Sequence, residues 1–311
     1  MAYSTLQYFG FSGHETFPLR YGWLKKGIDA VRQDCGAFSA PDAIVALGVG
    51  KNMVRSISHW CEVSGMICRV EDSAGRGKRF GATPLADLVF GPSGFDPYME
   101  HQATLWLVHW QIASNYRMAT TWYYVFSHLN QPEFTKDEIM RMLTRAMETP
   151  VRKAPRVSRN TIGRDVDCFI RTYVARTSQS GVSMEDSLEC PLSELDLIVQ
   201  GDDPRFYRVN EAYHVGLPDH LFAYAVADYR NRHFTERTIL TLEQLAYQPG
   251  SPGRIFRLSP RSIIERLERI RDCSDGAISY SDSAGIRQVF IDKSVDELGF
   301  LGDYYRRGCK R

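Results

Sequence analysis

The clearest periodic signal in the chain is KNMVRSISHWCEVSGMI, beginning at Lys51. Met53, Val54, Ile57, Trp60 and Cys61 recur on one side at helical spacing, and Asn52, Arg55, Ser56 and His59 fall on the other. Just upstream, PDAIVALG at 41–48 opens with a proline suited to a first helical turn and runs into a Gly48-Val49-Gly50 turn. A helix, a glycine turn and a second helix with a polar outer face predict a helix-turn-helix. ICRVEDSAGRGKRFGATPLA then reads as strand, flexible tip and strand. That is the pattern of a wing, with Arg76, Lys78 and Arg79 at or beside its tip.

The next stretches differ in character. YMEHQATLWLVHWQIASN and TTWYYVFSHLN are apolar and aromatic nearly all round, which predicts two buried helices. FTKDEIMRMLTRAM places Glu138 three residues after Thr135, a capping-box start. In SRNTIGRDVDCFIRTYV, Ser158 is a cap, and Ile162, Val166, Phe169 or Ile170, and Tyr173 point inward. Arg164, Asp167 and Arg171 point outward, with Arg159 and Asn160 at the leading end. This is a second helix-turn-helix candidate. RFYRVN predicts a short strand and DHLFAYAVADYRNR a helix. TILTLEQLAYQ and LSPRSIIERLERIRD predict two more helices, and AISYSDSAGIRQVFI a hairpin that turns at Ser-Asp-Ser-Ala-Gly.

The fold class expected from these patterns is mainly α (α+β), built of tandem winged-helix or helix-turn-helix modules with short β-hairpin wings. The expected units are a winged-helix domain at 1–92, a helical domain with a basic end at 93–176, an acidic connector and helix at 177–234, and a winged-helix-like domain at 235–311. A chain of 311 residues is long enough for such a series. No apolar run approaches the length that spans a bilayer, and the start lacks the order of a signal peptide, so a cytoplasmic protein without a membrane partner is expected. Seven scattered cysteines without a C-x-x-C read as reduced thiols rather than disulfides or structural zinc.

Charge refines this picture. The net charge of +1 excludes a generally adhesive basic protein. Its distribution is uneven. Residues 151–176 hold Arg152, Lys153, Arg156, Arg159, Arg164, Arg171 and Arg176 against two acids, whereas residues 177–203 hold seven acids and no base. One segment attracts anions and the next repels them, or the two pair with each other. Duplex DNA is the partner that suits the first module. Arg55 and Asn52 can read base edges with Ser56 and His59 beside them, while Lys51, Arg76, Lys78 and Arg79 meet phosphates. In the second, Arg156, Arg159, Asn160, Arg164 and Arg171 would do the same. In the last module Glu265 and Glu268 share the outer face with Arg261 and Arg269, which favours contact with protein.

Enzymatic motifs are mostly missing. There is no G-x-x-x-x-G-K-[ST], no H-E-x-x-H and no G-x-S-x-G. His59, Cys61 and Cys68 are too few for zinc. The exception is the opening stretch FSGHETFPLRYGWLKK, residues 11–26. His14 can serve as a base or metal ligand, Glu15 can hold a divalent ion, and Arg20 can stabilise phosphorane-like charge. These are materials for phosphodiester cleavage with Mg²⁺ or Mn²⁺. On residue chemistry alone the preferred reading is structural: a strand or turn pinned by a buried His14-Glu15 hydrogen bond, with Phe11, Phe17, Tyr21 and Trp23 filling core.

FSGHETFPLRYGWLKK followed by ALGVGKNMVRSISHW resembles the N-terminal signature of a bacterial family, domain of unknown function 4007, whose members include the SspB-type DNA nickases of single-strand phosphorothioation defence systems. The likeness is clearest over the first eighty residues or so. It implies a protein that nicks one DNA strand and works with a cysteine desulfurase, a sulfur transferase and an ATPase, where a non-bridging phosphate oxygen is exchanged for sulfur. The resemblance brings no transferable catalytic set. His14, Glu15 and Arg20 are the expected catalytic residues because they lie in the matching stretch, with His14 and Glu15 as metal ligands. The chain lacks a PD-(D/E)-x-K or H-N-H pattern. A non-catalytic DNA-binding adaptor or regulator, and a scaffold for proteins, homo-oligomer included, stay open beside the nickase.

Overall fold

The computed structural model of the chain describes residues 9–70, 77–148, 157–174 and 190–308. Arg76 and Arg156, and residues 177–189 of the acidic block, lie outside the described residues. The first part comprises α1 (Trp23–Gln33), α2 (Ala43–Leu47), α3 (Lys51–Val63), β1 (Ile67–Arg69), β2 (Phe80–Ala82) and α4 (Pro84–Phe90). Gly48 ends α2 in the left-handed region at φ 61°, where a side chain would be strained, and its N–H returns to the last turn. β1 and β2 pair antiparallel with Cys68 opposite Gly81.

The middle part comprises α5 (Gln102–Ala113), α6 (Thr120–His128), β3 (Glu133–Thr135), α7 (Lys136–Met147), α8 (Arg159–Tyr173), β4 (Ile198–Gln200) and β5 (Phe206–Val209). Thr135 and Glu138 form the expected capping box, and Ser158 accepts from the Thr161 N–H at 3.1 Å. The three strands form an antiparallel sheet in the order β3-β5-β4, with Phe134 opposite Tyr207. The sheet crosses the boundary expected near 176. The single strand expected at RFYRVN is β5, and it pairs with β4 as well as with β3 beside α7 and α8.

The last part comprises α9 (Asp219–His233), β6 (Ile239–Thr241), α10 (Leu242–Tyr247), α11 (Pro252–Ile255), α12 (Pro260–Cys273), β7 (Ile278–Ser283), β8 (Ile286–Ile291) and α13 (Glu297–Gly308). The stretch expected as one helix, TILTLEQLAYQ, is a strand and then a helix. Thr241 is extended (φ −86°, ψ 155°) and caps α10 in a box with Gln244, so the preceding β-branched Ile239 and its neighbour Leu240 join β8 instead. The sheet order is β6-β8-β7.

The fold is therefore α+β, helices joined by small antiparallel sheets, and one hydrophobic core runs through all three parts from Leu19 to Tyr305. Every residue of α5 after Gln102 is buried, which is why that helix shows no polar stripe. Within it, His109 accepts from the Tyr173 hydroxyl at Nδ1 (2.8 Å) and donates from Nε2 to the Ile255 carbonyl (2.9 Å), joining α5, α8 and α11. Burial pushes its pKa down to about 3. Arg257 donates to the carbonyls of Leu129 and Val125, and Arg254 to that of Ser127, so two arginines of the last part cap the C-terminal end of α6. No described helix is long and apolar enough to cross a membrane.

Candidate nucleic-acid interface

The signature FSGHETF folds as a compact double turn. Ser12, Glu15 and Thr16 all have left-handed φ values (62°, 48° and 69°). Each costs on the order of 1 kcal/mol for a residue with a side chain. Hydrogen bonds offset that cost. The Glu15 N–H donates to the Ser12 carbonyl at 3.1 Å, and the Phe17 N–H to the His14 carbonyl at 2.9 Å. The Thr16 N–H donates to His14 Nδ1 at 3.0 Å. That contact makes Nδ1 an acceptor, so the ring proton sits on Nε2 and is donated to Asp165 Oδ1 at 2.8 Å. Asp165 Oδ1 also accepts from the Ser12 N–H at 2.7 Å, and Oδ2 from the Thr121 hydroxyl at 2.6 Å.

Both ring nitrogens of His14 are thus used inside the protein, and the side chain is 1% exposed. In this arrangement neither is free to take a substrate proton or bind a metal. The ring lies over Trp60, with centroids 6.2 Å apart at 24°, and meets Trp122 edge-on. The other two residues expected with it turn elsewhere. Glu15 accepts from Arg55 at 3.3 Å. Arg20 lies over the rings of Phe17 and Trp23.

The loop binds α3 on one side and α8 on the other. Trp60 Nε1–H donates to the Phe17 carbonyl at 3.0 Å. Gly13 presses on His59 so closely that a Cβ there would stand 2.3 Å from His59 Nδ1, which no side chain could tolerate without a shift. From α8, Arg171 donates to the Thr16 carbonyl. Gly10 closes on α6 through mutual contacts with Thr120.

Around this loop the residues expected to contact DNA divide into groups. Lys51, Asn52 and Arg55 are exposed on α3. On α8, Arg159, Asn160 and Arg164 are exposed, and Arg159 and Arg164 form no ion pair with any described residue. Asn160, Arg164, Asp167 and Arg171 follow i, i+4, i+7, i+11 spacing along one face. Asp167 on that face pairs with Lys136 at 2.6 Å. Ser56 departs from its expected place. It is fully buried and its hydroxyl has no partner among the described residues, because it lies nearer the core side of α3 than the four-residue polar face implied. His59 is half-buried, and burial chiefly, with His14 nearby, pushes its pKa down to about 3, so it brings no positive charge to a phosphate. Lys78 is exposed, while Arg79 reaches back to Cys35 Sγ at 2.5 Å.

Asp165 and Thr121 are not among the residues singled out by motif. The available signal is an acid on an apolar face: Asp165 lies three residues after Ile162 and four before Phe169, both buried. Among the described residues, no group of three or more His, Cys, Asp or Glu side chains is placed to hold a metal. With His14 fully engaged and Glu15 a single carboxylate facing Arg55, these residues do not form a protein-built Mg²⁺ or Mn²⁺ site.

Residues 11–305 match the family "Protein of unknown function (DUF4007)", a match that opens on the first residue of the signature loop. The chain belongs to this family. Two solved structures share its fold. A magnesium ion-bound SspB crystal structure is 29% identical with a TM-score of 0.85, over 97% of this chain and 89% of that one. A second SspB crystal structure is 29% identical with the same TM-score, over 99% of this chain and 91% of that one. Among curated proteins, none matches.

Proposed function

We propose that the chain is a duplex-DNA-binding protein of a phosphorothioation-type defence system, working beside a sulfur transferase, a cysteine desulfurase and an ATPase, and that it nicks one DNA strand near the signature loop. The observation that carries the DNA-binding reading is the meeting of two cationic helices at one loop. Arg55 of α3 holds Glu15, and Arg171 of α8 holds the adjoining Thr16 carbonyl. Lys51, Asn52 and Arg55 on α3 and Arg159, Asn160 and Arg164 on α8 are each exposed and carry the donors that phosphates and base edges require.

The element order supports winged-helix units. From α6 the middle part runs helix, strand, helix, helix and hairpin, with the first strand pairing to the last, and from α9 the final part repeats that plan with one more helix before the hairpin and one after it. The likeness to SspB supports the system, and the magnesium ion in one of those structures supports a divalent ion in the reaction. In this reading Glu15, beside the exposed Arg55, is the loop carboxylate that acts at the cut strand, and His14 holds the loop in place without taking part in proton transfer.

A second reading is a DNA-binding adaptor without nuclease activity. It is favoured by the separate engagement of His14, Glu15 and Arg20. Conversion of supercoiled plasmid to open circle, with and without Mg²⁺, decides between them. A nickase yields open circle that depends on Mg²⁺ and is lost in Glu15→Gln. An adaptor binds the plasmid and leaves it closed.

A further inference from the structure

One buried carboxylate connects the two cationic helices. Asp165 is 1% exposed and is compensated by three donors from two elements: the Ser12 N–H and His14 Nε2–H of the signature loop, and the Thr121 hydroxyl of α6. The same loop is fixed to α3 by the Trp60 indole, by the His14 ring stacked on Trp60 and by Gly13 beneath His59. The buried route from α8 through the loop to α3 therefore runs through Asp165 and His14, beside the exposed contact of Arg171 with the Thr16 carbonyl.

We propose that Asp165 is a positioning residue that sets α8 against the signature loop, so that the faces of α3 and α8 engage a single DNA duplex at the same time. The inference rests on the DNA-binding reading above and gives Asp165 no contact with DNA. A charged hydrogen-bond acceptor with three donors is short-ranged and directional, so it fixes orientation as well as distance. Two phosphate-binding faces on one rigid body act in concert. On loosely joined elements, the second engages at a lower effective concentration.

The test uses the full chain and a synthetic duplex, with affinity read by fluorescence anisotropy across a NaCl series. Arg55→Ala and Arg164→Ala each weaken binding. Asp165→Ala weakens it by about tenfold and flattens the dependence of affinity on salt, because fewer phosphates are held at once. In the Asp165→Ala background, Arg164→Ala costs little more. Asp165→Asn keeps an oxygen for Ser12 and His14 and recovers most of the affinity. Circular dichroism establishes that each variant is folded. If Asp165→Ala does not fold, Thr121→Val removes one donor of the three and weakens binding in the same direction, by about threefold. Wild-type affinity and salt dependence in Asp165→Ala, or in Thr121→Val where that variant stands in, overturns the proposal. So does an undiminished cost of Arg164→Ala once Asp165 is gone. If Arg55→Ala and Arg164→Ala both bind as wild type does, the DNA-binding reading fails instead, and the two failures are distinguishable.

Discussion

His14 and Asp165 stand 151 residues apart in the chain and meet at 2.8 Å, each side chain 1% exposed. Removing the imidazole leaves Asp165 with two donors and a void between Trp60 and Trp122. Breaking a buried charge-bearing pair costs about 3 kcal/mol, and the lost ring packing adds to it. His14→Ala should lower the urea midpoint without changing the m-value. A loss under about 1 kcal/mol would show that water or Ser12 compensates Asp165 unaided.

That relationship marks the limit of what the sequence discloses. Helical periodicity located α3 and α8, glycine located the turn at Gly48, and the Thr135–Glu138 box located the start of α7, because each is a local rule. The partner of His14 was not legible. Asp165 lies in a segment rich in arginine, where an acid reads as surface charge compensation, and only the folded chain brings it under residue 14. The pairing of β3 with β5 was not legible for a similar reason: it joins residues more than seventy positions apart, and the acidic composition between them says nothing about it. Ser56 was misplaced because a 3.6-residue period assigns small residues near the edge of a face ambiguously.

Gly13 supplies the second expectation. A Cβ at that position would meet three atoms of the His59 ring, the nearest at 2.3 Å. The ring sits against Trp60 and cannot swing away freely. Gly13→Ala should therefore cost about 1–3 kcal/mol as overpacking and displace the loop from α3. Amide hydrogen exchange at Ser12–Phe17 checks it. Protection in the variant equal to that of wild type would mean that His59 yields without disturbing the loop.

Neighbours on α3 give a third. Arg55 is exposed and holds Glu15, whereas Ser56 is fully buried with an unpartnered hydroxyl. Arg55→Ala should weaken duplex binding and reduce the slope of log affinity against log salt by about one phosphate. Ser56→Ala should leave affinity unchanged and be neutral or slightly stabilising, because it removes a buried group that makes no hydrogen bond. Should Ser56→Ala weaken binding as much as Arg55→Ala, α3 turns a different face to DNA.

The last expectation concerns acid. His109 is buried among Tyr173 and Phe126; burial opposes its protonation, outweighing the Ile255 carbonyl that favours it, and His214 and Arg257 add to the opposition. Its pKa is about 3 in the fold against 6.5 for the free side chain. A depressed value means the unfolded chain binds the proton first. The stability it contributes is complete above pH 6.5 and is lost as pH falls toward 3. The slope attributable to His109 is about 1.4 kcal/mol per pH unit within that window. His59 acts in the same direction. His109→Gln should cost about 1–2 kcal/mol at neutral pH, because it disturbs two buried hydrogen bonds, yet its stability should fall less steeply on acidification than that of wild type. Urea midpoints taken from neutral pH downward read the difference in slope. Parallel profiles would mean that His109 takes up its proton as readily in the folded protein as in the unfolded chain, and the neutral link between α5, α8 and α11 would have to be abandoned.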